Sequence, residues 1–378
     1  MQWWVGQAGD PAVLIQDFLC EHDLLRRELA AGFLTAEGGI AHPTHPVCGA
    51  AVWLSAAACA VIAGLPPGPP TPAPAVPDVV VVVYEHASPA PEPPVSLPVT
   101  PWEVGEWRAS WSEQEHAQAV AAVRDAIAHG EVYQVNLVGH WQASYQGDPA
   151  RALARIAALP GAQYGGVLSG SGWAVATASP ECLLRITNDR IQTHPIKGTR
   201  PATAAGRAEL LASTKERAEH VMIVDLERND LARIARTGTV RVERLYAVRR
   251  WCQLWQAESV VSARLAEGVD LAAVLRALCP GGSVVGAPKQ AALEVIHTHE
   301  PVGRGPSMGA AGYLTTTELD LGLTIRTVAV DADAVHVWAG GGITWGSDPA
   351  LEVAEAASKA APLWAAVSSA ATGGDGSA

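Results

Sequence analysis

The chain has 378 residues, 49% hydrophobic and 17% charged, enough apolar material for one large core or two modest ones. Lys and Arg number 26 against 38 Asp and Glu, a net charge of −12, and that deficit of positive charge argues against a nucleic-acid binder, whose affinity rests on neutralising phosphates. Six scattered cysteines with no CxxC read as reduced thiols of a cytoplasmic protein rather than a disulfide frame or zinc site.

The N-terminus, MQWWVGQAGD, lacks the basic start and apolar core of a signal peptide. A helical pattern is expected over residues 17–31. Residues 47–65 come nearest to a membrane span, but they are rich in Ala and Gly, include Ser55 and run into prolines, so a core helix is expected and no membrane association. Between residues 65 and 101 prolines crowd into LPPGPPTPAPAVP and SPAPEPPVSLP, extended loop or linker segments, with the β-branched VVVVVYE between them read as a buried strand. The first 105 residues are thus expected to add strands and a Pro-rich loop to a body spanning 106–370, with 371–378 a disordered tail. No internal repeat is present.

Order increases from about Trp107. Ser112 and Glu115 form a capping box ahead of Val120, Val123 and Ile127 at helical spacing, and Gly130 is the stop. YQVNLVGHW, WAVATAS, CLLRIT and RIQTHP read as strands, the last two joined by a two-residue turn at Asn188-Asp189. Ser213 and Glu216 form a second capping box, opening a helix through HVMIVDLERNDLARIA; strands follow near Val240 and Ser259, and short helices at 270–278 and 288–297. A hairpin LTIRTVAV–DADA–VHVWAG precedes a last helix begun by Asp348 and Pro349. Strands joined by short turns with helices interspersed give an α+β fold, with two large, mainly antiparallel sheets, over a parallel βαβ one.

Chemistry concentrates in four places. Glu216 and Glu219, three apart on one helix, and Glu352 and Glu355, three apart on the last, could converge on a hard divalent cation; ExxE is equally a feature of solvated helix faces. Lys197, in HPIKGTRP, is one of only four lysines, and at an apolar strand end it is either a desolvated nucleophile or a loop lysine. Two glycine-rich stretches, CPGGSVVGAPK and AGGGITWGSDP, lead into helices; neither fits GxxxxGK[ST] or GxGxxG, and both suit a carboxylate as well as a phosphate, or are simply tight turns. Arg326 is the one charge in LTIRTV and needs an anion or a carboxylate partner; Tyr313, in GAAGYL, could lend a hydroxyl to the same anion. The sum fits a small polyanionic substrate chelated through a metal.

As an ordered set, EVYQVNL, ASPECLL, HPIKGTRP, KERAEHVMIVDLERNDL, PGGSVVGAPKQAALEVI, GAAGYL, LTIRT and AGGGITWGSDPALEVAEAASKA resemble the chorismate-using enzymes, a family that includes anthranilate synthase component I, aminodeoxychorismate synthase component I and the isochorismate and salicylate synthases. The resemblance covers roughly residues 132–362. It implies an α+β body of two packed antiparallel sheets with helices outside. It implies Mg2+ held by Glu219 and Glu355, with Glu216 and Glu352 behind them. Tyr313 and Arg326 would donate to a substrate carboxylate, and Gly340, Gly341 and Gly342 would cradle the ring carboxylate beside Thr199. Glu181 would lie near the ring. Gln134 stands where the water-adding branches carry an activating lysine, which glutamine cannot replace as a base. Gln256 stands where the family usually has a histidine near the departing hydroxyl.

Within the family, PIKGT resembles the aminodeoxychorismate branch, where anthranilate synthases read P-[IL]-A-G-T. There the lysine is thought to attack ring carbon 2 and expel the carbon 4 hydroxyl, after which ammonia enters at carbon 4. The resemblance thus implies chorismate and ammonia as substrates, 4-amino-4-deoxychorismate as product, and folate-type or aminoaromatic synthesis as the setting. No G-x-C-x-G nucleophile is present, so a separate glutamine amidotransferase subunit is the expected ammonia source. No LLES-like segment is found, so feedback inhibition is not expected. An anthranilate synthase component I and a non-catalytic chorismate-binding protein are the alternatives.

Overall fold

The structure is a computed structural model that describes residues 1–29, 47–85 and 101–368. Its body is two antiparallel sheets of ten and seven strands with helices between and around the strand segments. From one edge the larger sheet runs Gln2–Trp3, Val79–Glu85, Val47–Leu54, Ala310–Thr315, Glu318–Leu323, Cys182–Thr187, Arg190–His194 and Leu254–Arg264; Ile196–Pro201 and Arg241–Trp251 both pair with the last of these. The smaller sheet runs Gly286–Ala287, Gln134–Ala143, Val335–Ile343, Thr327–Val330, Trp173–Ser179 and Tyr164–Gly170, with Arg108–Ala109 also on Gln134–Ala143. This is the α+β, two-sheet arrangement expected from the strand and turn pattern. One apolar cluster joins Val135 and Leu137 of the smaller sheet to Leu184, Ile186 and Ile191 of the larger, and takes in Val120, Val123, Leu275 and Ile296 from helices. The burial of that shared core holds the sheets together.

Local signals set the helix starts. The Ser112 hydroxyl accepts from Glu115 N while the Glu115 carboxylate accepts from Ser112 N, a reciprocal capping box that opens Glu113–Ala128. Ser213 caps Thr214–Ala232 through Glu216 N at 3.2 Å, but the Glu216 carboxylate goes to Arg200 instead of back to the cap. Asp348 Oδ1 accepts from Ala350 N and Leu351 N, both at 3.0 Å, to start Pro349–Ser368. Asn188 turns the Cys182–Thr187/Arg190–His194 hairpin at φ 55°.

Three expected elements differ. The first helix is Pro11–Glu21 rather than 17–31, because Asp10 caps it and Pro11 occupies its first position; residues 22–29 are irregular, and 30–31 lie outside the described residues. Residues 47–65 divide at Ser55 into the strand Val47–Leu54 and the helix Ala56–Ile62, since Ser55 accepts from Ala58 N and starts a helix where the β-compatible run ends. Arg326 is in no strand: the chain breaks between Glu318–Leu323 and Thr327–Val330, and Arg326 sits at φ 55°. The second Pro-rich segment and the expected C-terminal tail lie outside the described residues.

Candidate active site

A cleft opens where the two sheets and two helices meet. The larger sheet contributes Ile196, Lys197, Gly198, Thr199 and Gln256; the smaller contributes Asn136 and residues 338–342; Glu216 and Glu219 reach in from Thr214–Ala232, and Glu352, Glu355 and Lys359 from Pro349–Ser368. Pairs of carboxylates three apart lie on one face of each helix, and the two faces meet at this cleft.

The carboxylates are not left to repel one another. Arg200 Nη1 lies 2.9 Å from Glu216 Oε1, Thr344 Oγ1 donates to Glu219 Oε1 at 2.7 Å, and Lys359 Nζ lies 2.5 Å from Glu355 Oε1. Lys359 also donates to the Gly340 carbonyl at 2.9 Å, tying the last helix to the glycine strand. The Lys359 charge holds the Glu355 carboxyl below its ordinary range, while burial pushes the Glu352 carboxyl up. No three side chains form a ready-made metal cage among the described residues. The four carboxylates nonetheless line the same cleft and are hard oxygen donors, which suits Mg2+, an ion that takes one or two carboxylates and leaves its other positions to water and an anionic ligand.

Three consecutive glycines, Gly340, Gly341 and Gly342, also line the cleft. A methyl group at Gly340 would strike the Leu137 and Val138 backbone, and one at Gly342 would collide with both Lys197 Nζ and Gln134 Nε2. At Gly341 it would lie 3.2 Å from Glu352 Oε2 and 3.8 Å from Glu355 Oε1. The triplet therefore lets the strand backbone stand directly against the amine and the carboxylates.

Lys197 lies beside that strand, and burial lowers its amine pKa, opposed by the Glu219 charge. Glu181 follows Trp173–Ser179 and is 4% exposed. Burial pushes its carboxyl up to about 7, though Ser283 Oγ donates to it at 2.6 Å and Ile196 N at 3.3 Å. A carboxylic acid and an amine thus flank one cavity, each displaced toward its neutral form. Gln256 is buried, lines the cleft and sits opposite Thr199 across the strand pair. Gln134, fully buried, abuts Gly342 just behind the lining.

Arg326 lines the cleft as well. Its Nη1 donates to the Lys359 carbonyl at 3.1 Å, its guanidinium lies 4.3 Å from the Trp251 ring centre, and burial brings its pKa down to about 10. No carboxylate pairs with it among the described residues. Tyr313 is placed elsewhere: it is 44% exposed, donates to Glu318 Oε1 at 3.1 Å, and lies outside the lining. Strand alternation is the reason, since Tyr313 faces away from the side of Ala310–Thr315 that packs inward. Met308, just ahead of that strand and at φ 60°, lines the cleft from this segment.

Residues not singled out from sequence also line it: Asn136, Ser283, Lys215 and Lys359. Lys359 carried a readable signal, four residues after Glu355. Asn136 carried a weaker one, two residues from Gln134 on a strand and hence on the same face.

The sequence matches the family described as chorismate binding enzyme over residues 77–365. Among curated proteins it is 39% identical over 269 residues to anthranilate synthase component 1 of Streptomyces coelicolor, covering 69% of this chain and 53% of that protein. It is 37% identical over 256 residues to aminodeoxychorismate synthase component 1 of Salmonella typhimurium, covering 66% and 56%. The chain therefore spans a little over half the length of these relatives. The crystal structure of anthranilate synthase component I from Streptococcus pneumoniae superposes with a TM-score of 0.78 at 25% identity, covering 96% of this chain and 89% of that one. With a family match over most of its length and relatives above 30% identity, the chain belongs to the chorismate binding enzyme family.

Proposed function

We propose that the protein aminates chorismate at ring carbon 4, as an aminodeoxychorismate synthase component I, with Mg2+ and with ammonia supplied by a separate glutamine amidotransferase. The observation that carries this reading is the Lys197 amine. Its Nζ abuts Gly342, in the cleft lined by the four carboxylates, and desolvation lowers its pKa from the ordinary lysine range, toward the free-base form a nucleophile needs.

The chemistry follows from these residues. Arg326, without a carboxylate partner, binds a substrate carboxylate. Glu219 and Glu355, backed by Glu216 and Glu352, would hold Mg2+, which supplies charge neutralisation at the ring carboxylate when bound. The Lys197 amine, in its free-base form, attacks carbon 2, and the carbon 4 hydroxyl departs with a proton from Glu181, whose carboxyl burial pushes up to about 7. Ammonia then forms the bond to carbon 4 and the lysine amine leaves carbon 2, so a ring C–O bond is exchanged for C–N and water is released. A tethered amine outcompetes free ammonia at carbon 2 through effective concentration, which redirects ammonia to the para position.

The relatives include anthranilate synthase components at similar identity, so ortho amination is the second reading. Mass analysis of products from purified protein with chorismate, MgCl2 and an ammonium salt tests both. 4-Amino-4-deoxychorismate is expected; fluorescent anthranilate would overturn the carbon 4 assignment.

A further inference from the structure

The smaller sheet ends on Tyr164–Gly170, which pairs with Trp173–Ser179 on one side and with no described segment on the other. An open strand edge presents a row of unpaired N–H and C=O groups, and proteins guard such edges with charge, proline, bulges or brevity. The other terminal strands of the two large sheets are guarded in these ways. Gln2–Trp3, Gly286–Ala287 and Arg108–Ala109 are two residues long. Ile196–Pro201 carries Lys197 and Arg200 and ends in proline, and Arg241–Trp251 carries five charged residues and two register breaks. Tyr164–Gly170 has none of these devices. Its seven residues, YGGVLSG, include no charge and no proline, and their register with Trp173–Ser179 is unbroken.

Two residues at the middle of this strand point to what covers it. Val167, its central residue, is 46% exposed and borders an open groove of about 500 Å3 with Leu153, Ala154 and Val330. Gly166 has no reason within the chain to be glycine: its φ is outside the left-handed region, and a methyl group there would meet no described atom within 4 Å. A glycine inside a strand weakens it and marks the close approach of something else. A second copy of the chain accounts for both residues. Turned about a two-fold axis through Val167, the strand meets itself antiparallel. Val167 then faces the partner's Val167, Gly166 faces the partner's Leu168, and Tyr164 faces the partner's Gly170. Each bulky side chain is set against a glycine, so the backbones can close to the sheet spacing of about 4.8 Å. We propose that Tyr164–Gly170 is a dimer interface, joining the seven-stranded sheets of two copies edge to edge. The contact is self-complementary and closes after two copies. None of its residues lines the cleft, so the inference stands apart from the amination reading.

The test is sedimentation velocity of the full chain from about 1 to about 100 µM, in about 0.15 M NaCl to screen the repulsion between two acidic bodies. A monomer–dimer equilibrium is expected across that range. Hydrogen exchange read by mass spectrometry locates the contact: amides of residues 164–170 should exchange at least about tenfold more slowly at the high concentration than at the low one. Val167→Lys sets two like charges directly opposite each other and should raise the dimer Kd at least about tenfold. Gly166→Val is the second variant. The monomer has room for its side chain, so its Tm should not fall, while conflict with the partner's Leu168 should raise the dimer Kd by a similar factor. A wild-type chain that stays monomeric at about 100 µM would overturn the proposal, whether another protein or another segment of this chain covers the edge. A dimer whose Kd neither substitution moves, or that leaves exchange at 164–170 independent of concentration, would overturn it as well.

Discussion

Lys197 and Glu181 owe their chemistry to burial rather than to identity. Both are raised or lowered toward neutrality by the same desolvation, and both line one cleft, as the proposed nucleophile and the proposed acid. Lys197→Ala should lower para-amination at least a hundredfold while chorismate still binds, and mass analysis should reveal some carbon 2 product; an unchanged para product would refute the lysine's role. Glu181 gives the pH dependence its sign. Its carboxyl is protonated below about 7, so if the acid form serves the departing hydroxyl, kcat should fall as pH rises through 7, and Glu181→Gln should remove that limb along with most of the activity. Legibility at this scale depended on motif density. Lys197 and the glutamates sit in tight motifs, whereas Tyr313 is near Arg326 in sequence but turned away from the cleft by strand alternation. The isolation of Arg326 from any carboxylate is a property of packing, not of the LTIRTV string.

The helices place charge at set depths along their length, and Thr214–Ala232 does it twice. Its first turns bring Glu216 and Glu219 to the cleft; two turns on, Glu227 and Asp230 are buried, Asp230 paired with Lys289 at 2.6 Å. Burial, then the Asp230 charge, pushes the Glu227 carboxyl up to about 8. In the unfolded chain that proton leaves near the ordinary glutamate value of about 4.3, so between there and about 8 the folded state holds one proton more. Stability must therefore fall as pH rises through that window, by up to about 1.4 kcal/mol per pH unit from this group, and level off above it. Urea unfolding of wild type and Glu227→Gln at pH 5.5, 6.5, 7.5 and 8.5 checks this: the advantage of wild type should shrink with pH, and a constant difference would contradict a buried neutral Glu227. The caps that start these helices were readable because Ser, Asp and Pro act locally. The misplaced first helix and the split at Ser55 show the limit: residues 47–54 pair as a central strand only because Val79–Glu85 and Ala310–Thr315 flank them, a nonlocal fact that an Ala-rich string does not contain.

Across the whole molecule the cleft is where the two sheets come together, so whatever binds there acts as a clasp between them. Lys197, Thr199 and Gln256 come from the larger sheet, Asn136 and the glycine triplet from the smaller. The protein carries net charge −12, yet Lys215, Arg200, Arg326 and Lys359 cluster at this seam among the glutamates, which lets a dianion approach an otherwise acidic body. Ligand that binds only the folded state at a hundred times its Kd adds about 2.7 kcal/mol, and an unfolding entropy of about 2.1 cal/mol/K per residue makes a kcal/mol worth a little over 1 °C at this size. Chorismate with MgCl2 should therefore raise Tm by about 3 °C in a single transition. MgCl2 alone should do much less, because Arg200, Lys359 and Thr344 already neutralise or bond three of the four carboxylates. Adding EDTA, or replacing Glu219 by Ala, should erase most of the chorismate-dependent shift while leaving the unliganded Tm within a few degrees. The same shift in EDTA would mean that the carboxylates serve the fold or the substrate directly, and that no divalent cation joins the two sheets through the ligand.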